Sequence, residues 1–254
     1  MVSEARRADT LKEKLRLDRV LSNFGFGSRT EIKSAVKNGC VTVDGKIARD
    51  SGMYVDPNER VIEMNGIKLN YRKYIYLMMN KPKGVISATT DNKQKTVFDI
   101  LPEKYKCFDL FPAGRLDIDT EGLVLMTNDG QLSHEILSPK KHVSKQYYAH
   151  VFGKVNDGDI IAFEEGVTLD DGYRTLPAKL EIIKSDDISE IKLSIVEGKF
   201  HQVKRMFEAV DKKVIYLKRL SMGRLRLDEA LGLGECKELG EDDIALLKAS
   251  VQKV

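Results

Sequence analysis

Between Gly114 and Gly130 a charged loop runs straight into an apolar strand, and this loop holds the residues best suited to chemistry. Gly114-Arg115-Leu116-Asp117-Ile118-Asp119-Thr120-Glu121-Gly122 is turn-prone, and the Leu123-Val124-Leu125-Met126 that follows is continuous and apolar. A loop ending on a buried strand can hold one carboxylate rigidly at the mouth of a cleft, because the strand fixes the backbone while the loop keeps the side chain accessible. Asp117 is the carboxylate expected there. Two other readings compete. An Asp in a charged loop often serves as a turn or capping residue, and acids at alternate positions, Asp117, Asp119 and Glu121, could hold magnesium. A phosphatase-type Asp-x-Asp wants its first acid at the end of an apolar strand, whereas Phe111-Pro112-Ala113-Gly114-Arg115 precedes this one. Arg115 also suits a single anion flanked by cations better than a dication site. Asp119, Thr120 and Glu121 are read as residues that shape the loop.

The same block, together with Asn80-Lys81-Pro82-Lys83-Gly84-Val85, Lys145-Gln146-Tyr147 and Glu197-Gly198-Lys199-Phe200-His201-Gln202-Val203-Lys204-Arg205-Met206-Phe207, resembles the ordered motifs of a known family. It is the ribosomal RNA pseudouridine synthases that carry a small RNA-binding domain ahead of the catalytic one. The likeness is greatest to the branch acting on small-subunit (16S) RNA, and relatives acting on 23S RNA share the architecture. The resemblance implies that Asp117 is the catalytic carboxylate of a uridine isomerisation that needs no cofactor and no metal. Lys204 then stands where a helix-borne Arg or Lys pairs with that Asp. Many relatives have Arg, so this chain keeps the charge and loses the bidentate fork. Tyr147 is the active-site aromatic, suited to stacking on uracil or moving a proton, with Tyr148 on the other face of its strand. Arg115 is expected to contact RNA, stacking in place of a flipped base or holding a phosphate, and Leu217 to line the pocket. The four histidines show no metal-ligand spacing and receive no role. The alternative is a non-catalytic RNA-binding or ribosome-assembly factor, against which the three intact positions Asp117, Tyr147 and Lys204 speak.

The elements that must carry these residues are legible in part. Leu17, Val20, Leu21 and Phe24 recur at helical spacing up to Gly25 and Gly27. Ser28 and Glu31 form a capping-box pattern for a second helix with Ile32, Ala35 and Val36 inward, ending at Gly39. Asp44-Gly45 and Asn65-Gly66 read as hairpin turns. Two helices followed by hairpins resemble the S4 RNA-binding domain. Beyond them Tyr74 to Met79, Val85 to Ser87, Leu123 to Met126, Lys145 to Phe152, Lys192 to Val196 and Val214 to Leu217 read as strands. Helices follow over Leu132 and Ile136, over Val203, Met206, Phe207 and Val210, and over Ile244, Leu247 and Val251. The fold class is α+β: a small S4-like domain and a larger catalytic domain with a mixed or antiparallel sheet. The division expected is an N-terminal extension at 1–14, the S4-like domain at 15–62, a linker at 63–73 and the catalytic domain at 74–254. A chain starting near Tyr71 is expected to fold.

Charge points to the same partner. The 254 residues carry a net +3, but between positions 12 and 49 nine Lys and Arg face four Asp and Glu, a local +5. Clustered cations on a small unit suit a polyanion, since each phosphate neutralised releases counterions; a solvated basic surface is the plain alternative. Arg29, Lys33 and Lys37 fall on one helix face, and with Arg16 and Arg19 they are the expected RNA-binding residues. The partner implied is ribosomal RNA or the assembling small subunit, met by a monomer. No apolar run reaches the roughly 18 residues needed to span a bilayer, and the first residues lack a signal-peptide core, so a cytoplasmic, non-membrane protein is expected. Cys40, Cys107 and Cys236 are too few and too scattered for a disulfide framework or zinc knuckle, and are expected to be buried or half-buried thiols.

Overall fold

The computed structural model describes residues 14–252, in two compact units. Positions 1–13, which include Lys12 and nearly all of the expected N-terminal extension, lie outside the described residues. One unit takes in residues up to Lys73 together with Pro102–Phe108, and the other comprises Tyr74–Leu101 and Asp109 onward. Among the described residues no helix is long and apolar enough to cross a membrane.

The first unit runs β1 (Leu15–Arg16), α1 (Leu17–Asn23), α2 (Arg29–Lys37), β2 (Val41–Val43), β3 (Lys46–Ile47), β4 (Tyr54–Val55), β5 (Ile62–Met64) and β6 (Ile67–Lys68), joined by α3 (Glu103–Lys106). The Ser28 hydroxyl accepts from the Glu31 N–H, and the Glu31 carboxylate takes the Ser28 N–H at 2.7 Å, so both halves of the capping box form. Asp44 and Gly45 both take positive φ, as do Asn65 and Gly66, which is what tight hairpins demand. The strands align as β3-β2-β5-β6, with β1 and β4 a separate pair. Leu17, Val20, Leu21, Ile32, Val36 and Ile62 form the core. Arg29, Lys33 and Lys37 are all exposed. Arg16 differs from them, because its guanidinium gives two hydrogen bonds to Asp18, at 3.1 and 2.6 Å. Cys40 is exposed, contrary to the expected burial.

The assignment of α3 to this unit has a practical consequence. Phe108 meets Phe24 edge-on at 5.2 Å, so a chain cut near Tyr71 would lose the elements that α3 packs on. Point substitutions therefore test RNA docking more cleanly than truncation.

The second unit contains β7 (Tyr76–Lys81), β8 (Phe111–Ala113), β9 (Glu121–Thr127), α4 (Gly130–Leu137), β10 (Lys145–Phe152), α5 (Asp157–Glu165), β11 (Lys179–Lys184), β12 (Ile188–Ile195), α6 (Gln202–Glu208), β13 (Lys213–Met222), β14 (Leu225–Arg226), β15 (Cys236–Glu238) and α7 (Glu241–Val251). The strands join in the order β11-β12-β10-β13-β9-β7-β15, with β8 on β9 and β14 on β13. Every pairing is antiparallel except β9 with β13, so the sheet is mixed. Val85 to Ser87 is not a strand; only Ile86 bridges to Thr96. The sheet is covered differently in its two halves. Tyr76, Met78, Leu123 and Leu125 pack with Leu132 and Ile136 of α4 and Leu247 and Val251 of α7. At the other end the helices cover the face bearing Tyr147, Ala149 and Val151, where Phe163 of α5 and Phe207 of α6 meet at 4.9 Å.

Gly122 fixes where β9 meets β13. Its φ is +103°, and a Cβ there would sit 2.3 Å from the Arg219 carbonyl oxygen and 2.7 Å from its nitrogen. Only glycine allows the two backbones to approach so closely at the foot of the Asp117 loop.

Candidate active site

The Asp117 loop spans from β8 to β9 and is pinned by the segment after β7. The Ser87 hydroxyl donates to the Leu116 carbonyl at 3.1 Å and accepts from the Leu116 N–H at 3.0 Å. The Gly84 N–H donates to the Ile118 carbonyl at 2.8 Å. Lys81, wholly buried, gives its ammonium to the carbonyls of Thr120 at 2.9 Å and Pro82 at 3.0 Å. Four hydrogen bonds at three alternate loop positions, Leu116, Ile118 and Thr120, leave little freedom between Leu116 and Thr120. At the far end of β9, Asn128 accepts the Ile75 N–H at 2.9 Å. Asp129 caps α4 through Leu132 at 3.0 Å and takes the Tyr76 hydroxyl at 2.6 Å. The long motif thus holds a solvent-reachable carboxylate at one end and a helix cap at the other.

Helix α6 brings the cation. Lys204 Nζ lies 3.0 Å from Asp117 Oδ2 and 2.6 Å from Asp119 Oδ1. Asp119 was expected only to shape the loop; its side chain instead shares the lysine with Asp117. Burial pushes the Asp119 carboxyl up, but the Lys204 hydrogen bond and charge outweigh it and hold Asp119 below its ordinary range. Burial lowers Lys204 in turn, and hydrogen bonds to Asp119 and Asp117 more than restore it, so its net shift is upward. Glu121 also differs from the expected role: it starts β9, is buried and accepts the Tyr216 hydroxyl at 2.8 Å. Among the described residues no three His, Cys, Asp or Glu gather as a metal-ligand set.

The start of α6 is positioned by a buried carboxylate. Glu197 accepts from Gln202 at 2.6 Å, from the Leu176 N–H at 3.0 Å and from the Tyr173 hydroxyl at 2.7 Å. His201, at the N-cap of α6 with φ +48°, puts Nε2 3.6 Å from Asp117 Oδ1 and stacks on the exposed Phe200 ring at 3.8 Å. Sequence reasoning gave His201 no role, since no spacing rule connects it to a residue 84 positions away. Lys81 likewise appeared only as one residue of the Asn80–Val85 motif, with no role of its own.

Asp117, Lys204, Tyr147, Leu217 and Arg115 line one open cleft. Tyr147 is buried and Arg115 exposed, while the Asp117 side chain keeps 27% of its surface. Tyr148 points from the opposite sheet face, its hydroxyl on Glu190 at 2.5 Å. The Thr120 hydroxyl, buried in the lining, has no hydrogen-bond partner among the described residues. A carboxylate held beside a lysine, reachable by solvent and sharing its cleft with an aromatic ring, can supply an electron pair to a flat heterocyclic substrate.

Two buried lysines near this site lead to a pH prediction. Burial lowers Lys81 to about 8, against the pull of Asp119, Asp117 and Glu121. Burial and then Arg219 lower Lys145 to about 8 as well. Above that value the folded chain releases protons that the unfolded chain still holds, so stability rises with pH until the ordinary lysine range. Calorimetric unfolding midpoints are expected to rise from pH 8 to pH 10, and Lys145→Met should flatten that rise. A falling midpoint in wild type would contradict it.

Known proteins resemble this chain over most of its length. Residues 75–209 match the RNA pseudouridylate synthase family, and residues 15–61 match the S4 domain. The RNA pseudouridine synthase YtzG of Bacillus subtilis strain 168 is 53% identical over 92% of this chain and 98% of its own. The ribosomal small subunit pseudouridine synthase A of Escherichia coli K12 is 39% identical over 91% of this chain and 99% of its own. The ribosomal large subunit pseudouridine synthase B of Bacillus subtilis is 36% identical over 92% and 96%. A crystal structure of a pseudouridylate synthase, 36% identical, superposes with a TM-score of 0.64 over 92% of this chain and 99% of that one.

Proposed function

The chain belongs to the RNA pseudouridylate synthase family, and from that membership we propose that it converts one uridine of ribosomal RNA, in the 16S molecule, to pseudouridine with Asp117 as the catalytic carboxylate. The observation that carries the reading is the Lys204–Asp117 pair at 3.0 Å in the cleft lined by Tyr147.

The reaction breaks the bond between C1′ of the ribose and N1 of the base, turns the base and rejoins C1′ to C5. The hydrogen at C5 leaves as a proton and N1 gains one, so nothing is oxidised or reduced. What the site must supply is an electron-rich group beside the uridine, a surface that keeps the loosened base in place and a group that moves a proton. Asp117 provides the first, with its charge balanced by Lys204. The Tyr147 ring with Leu217 provides the second, and the Tyr147 phenol is suited to the third. Arg115, exposed at the rim, holds the RNA around the flipped nucleotide. Release of tritium from C5-tritiated ribosomal RNA tests the reaction, and no release from any ribosomal RNA would remove it. The small-subunit choice is supported by motif likeness; the similarity to a large-subunit synthase favours 23S as the second reading. Mapping pseudouridines in a strain lacking this protein decides between them.

The S4 unit is proposed to dock on RNA through Arg29, Lys33 and Lys37, with Arg19 nearby and Arg16 tied more closely to Asp18. Replacing those three helix residues with Ala is expected to weaken binding and lower the log-log salt slope by about 3, since each phosphate contact contributes close to one unit. Single-turnover rate at saturating enzyme should change far less. Binding titrations over a salt series check this, and an unchanged slope would exclude that helix face.

A further inference from the structure

The sheet face opposite Tyr147 carries an aromatic and basic surface that the chemistry above does not use. Strand register places Lys192 of β12, Tyr148 of β10 and Lys218 of β13 side by side, and in the next row Glu190, His150 and Tyr216. The rings pack together: His150 lies 5.1 Å from Tyr216 and 5.3 Å from Tyr148, centroid to centroid. All three are half-buried. Phe152, one row further along β10, is 61% exposed.

Polar contacts orient this cluster. The Tyr148 hydroxyl donates to Glu190 at 2.5 Å and lies 2.9 Å from His150 Nε2, and the Tyr216 hydroxyl donates to Glu121 at 2.8 Å. Glu190 and Glu121 are thereby held down against the sheet, while Glu181 of β11, the register partner of Lys192, is exposed. The lysines are arranged differently. Among the described residues Lys179, Lys192, Lys213 and Lys218 have no acidic partner within ion-pair distance, and Lys83 sits over the Tyr216 ring at 5.1 Å. Five ammonium groups on long stems surround rings whose neighbouring acids are mostly turned inward, so the outermost charge is positive.

This face is also continuous with the catalytic loop. Glu121 begins the strand that leaves the loop, and Lys83 precedes Gly84, whose N–H holds Ile118. We propose that it is a second RNA-docking surface, which binds an unpaired stretch of the substrate flanking the target uridine by stacking on Tyr148, His150 and Tyr216 and by phosphate contacts to Lys192 and Lys218. Aromatic side chains on an open sheet, ringed by cations, accept unstacked bases of any sequence. The inference rests on an RNA substrate, as proposed above.

The test uses the full chain and ribosomal RNA over a salt series. Lys192→Ala/Lys218→Ala is expected to bind on the order of tenfold more weakly near 0.1 M salt and to lower the log-log slope by about 1.4, two single-strand phosphate contacts at about 0.7 each. Tyr148→Ala should weaken binding by on the order of tenfold, while Tyr148→Phe, which keeps the ring and loses only the hydroxyl contacts to Glu190 and His150, should bind as wild type. The unfolding midpoint of the lysine pair variant, whose side chains make no ion pair, should match wild type, so that its lost binding is not lost fold. If wild type releases tritium but the lysine pair variant keeps its affinity and slope, this surface proposal fails and the face is left to solvent or a protein. If wild type releases none, the isomerase reading fails instead.

Discussion

Asp117→Asn is expected to lose turnover by about 10³-fold or more, with folding and RNA affinity close to wild type. The amide keeps the volume and removes the charge. The cost to the fold is small because Lys204 is not orphaned: it keeps Asp119 at 2.6 Å when the Asp117 bond is weakened. The loop itself is held by Ser87, Gly84 and Lys81 through backbone atoms, none of which the substitution touches. Asp119→Asn is the comparison that separates catalysis from loop shaping. It should stay within about tenfold of wild type, since Lys204 then serves Asp117 alone. Tritium release, unfolding midpoint and RNA titration on both variants make the measurement, and substantial release from Asp117→Asn would defeat the assignment.

What the chain reveals on reading and what it hides divide along physical lines. The capping box at Ser28 and Glu31 and the turns at Asp44-Gly45 and Asn65-Gly66 are local devices, each contained in four residues, and they form as read. The pairing of β1 with β4 joins two-residue strands, too short to leave a periodic trace. Helix α3 interrupts the catalytic segment in sequence yet packs with the first unit, which no local pattern encodes. The ion pair between Asp117 and Lys204 spans 87 positions and was reached only through family likeness. Lys81 and Glu121 show the same limit from the other side. Lys81 in a lysine-rich motif and Glu121 in an acidic loop carry no local mark of burial, and both are buried here because one ends β7 and the other begins β9. Burial belongs to the assembled sheet, so charge pattern alone does not disclose it.

Lys204→Ala is expected to lower turnover by about 10²-fold, the second largest effect, because it leaves Asp117 and Asp119 facing each other with no cation between them. Lys204→Arg should recover most of the rate, since a guanidinium can serve both carboxylates at once. The double variant Lys204→Ala/Asp119→Asn should turn over faster than Lys204→Ala alone, because removing one of the two negative charges relieves what the lost lysine no longer balances. A purely structural lysine would give the opposite order, with each change adding its own damage. The stability readout has a fixed sign. Lys204 holds Asp119 below its ordinary range, so that stabilisation is present above the ordinary aspartate value and is lost as pH falls through the folded one. Lys204 itself is raised, so its contribution is present below the ordinary lysine value and is lost as pH climbs through the folded one. The difference in unfolding midpoint between wild type and Lys204→Ala should therefore be widest between these limits and close at both ends. Near-wild-type turnover in Lys204→Ala would mean that Asp117 works without this partner, with His201 Nε2, 3.6 Å away, as the neighbour left to test.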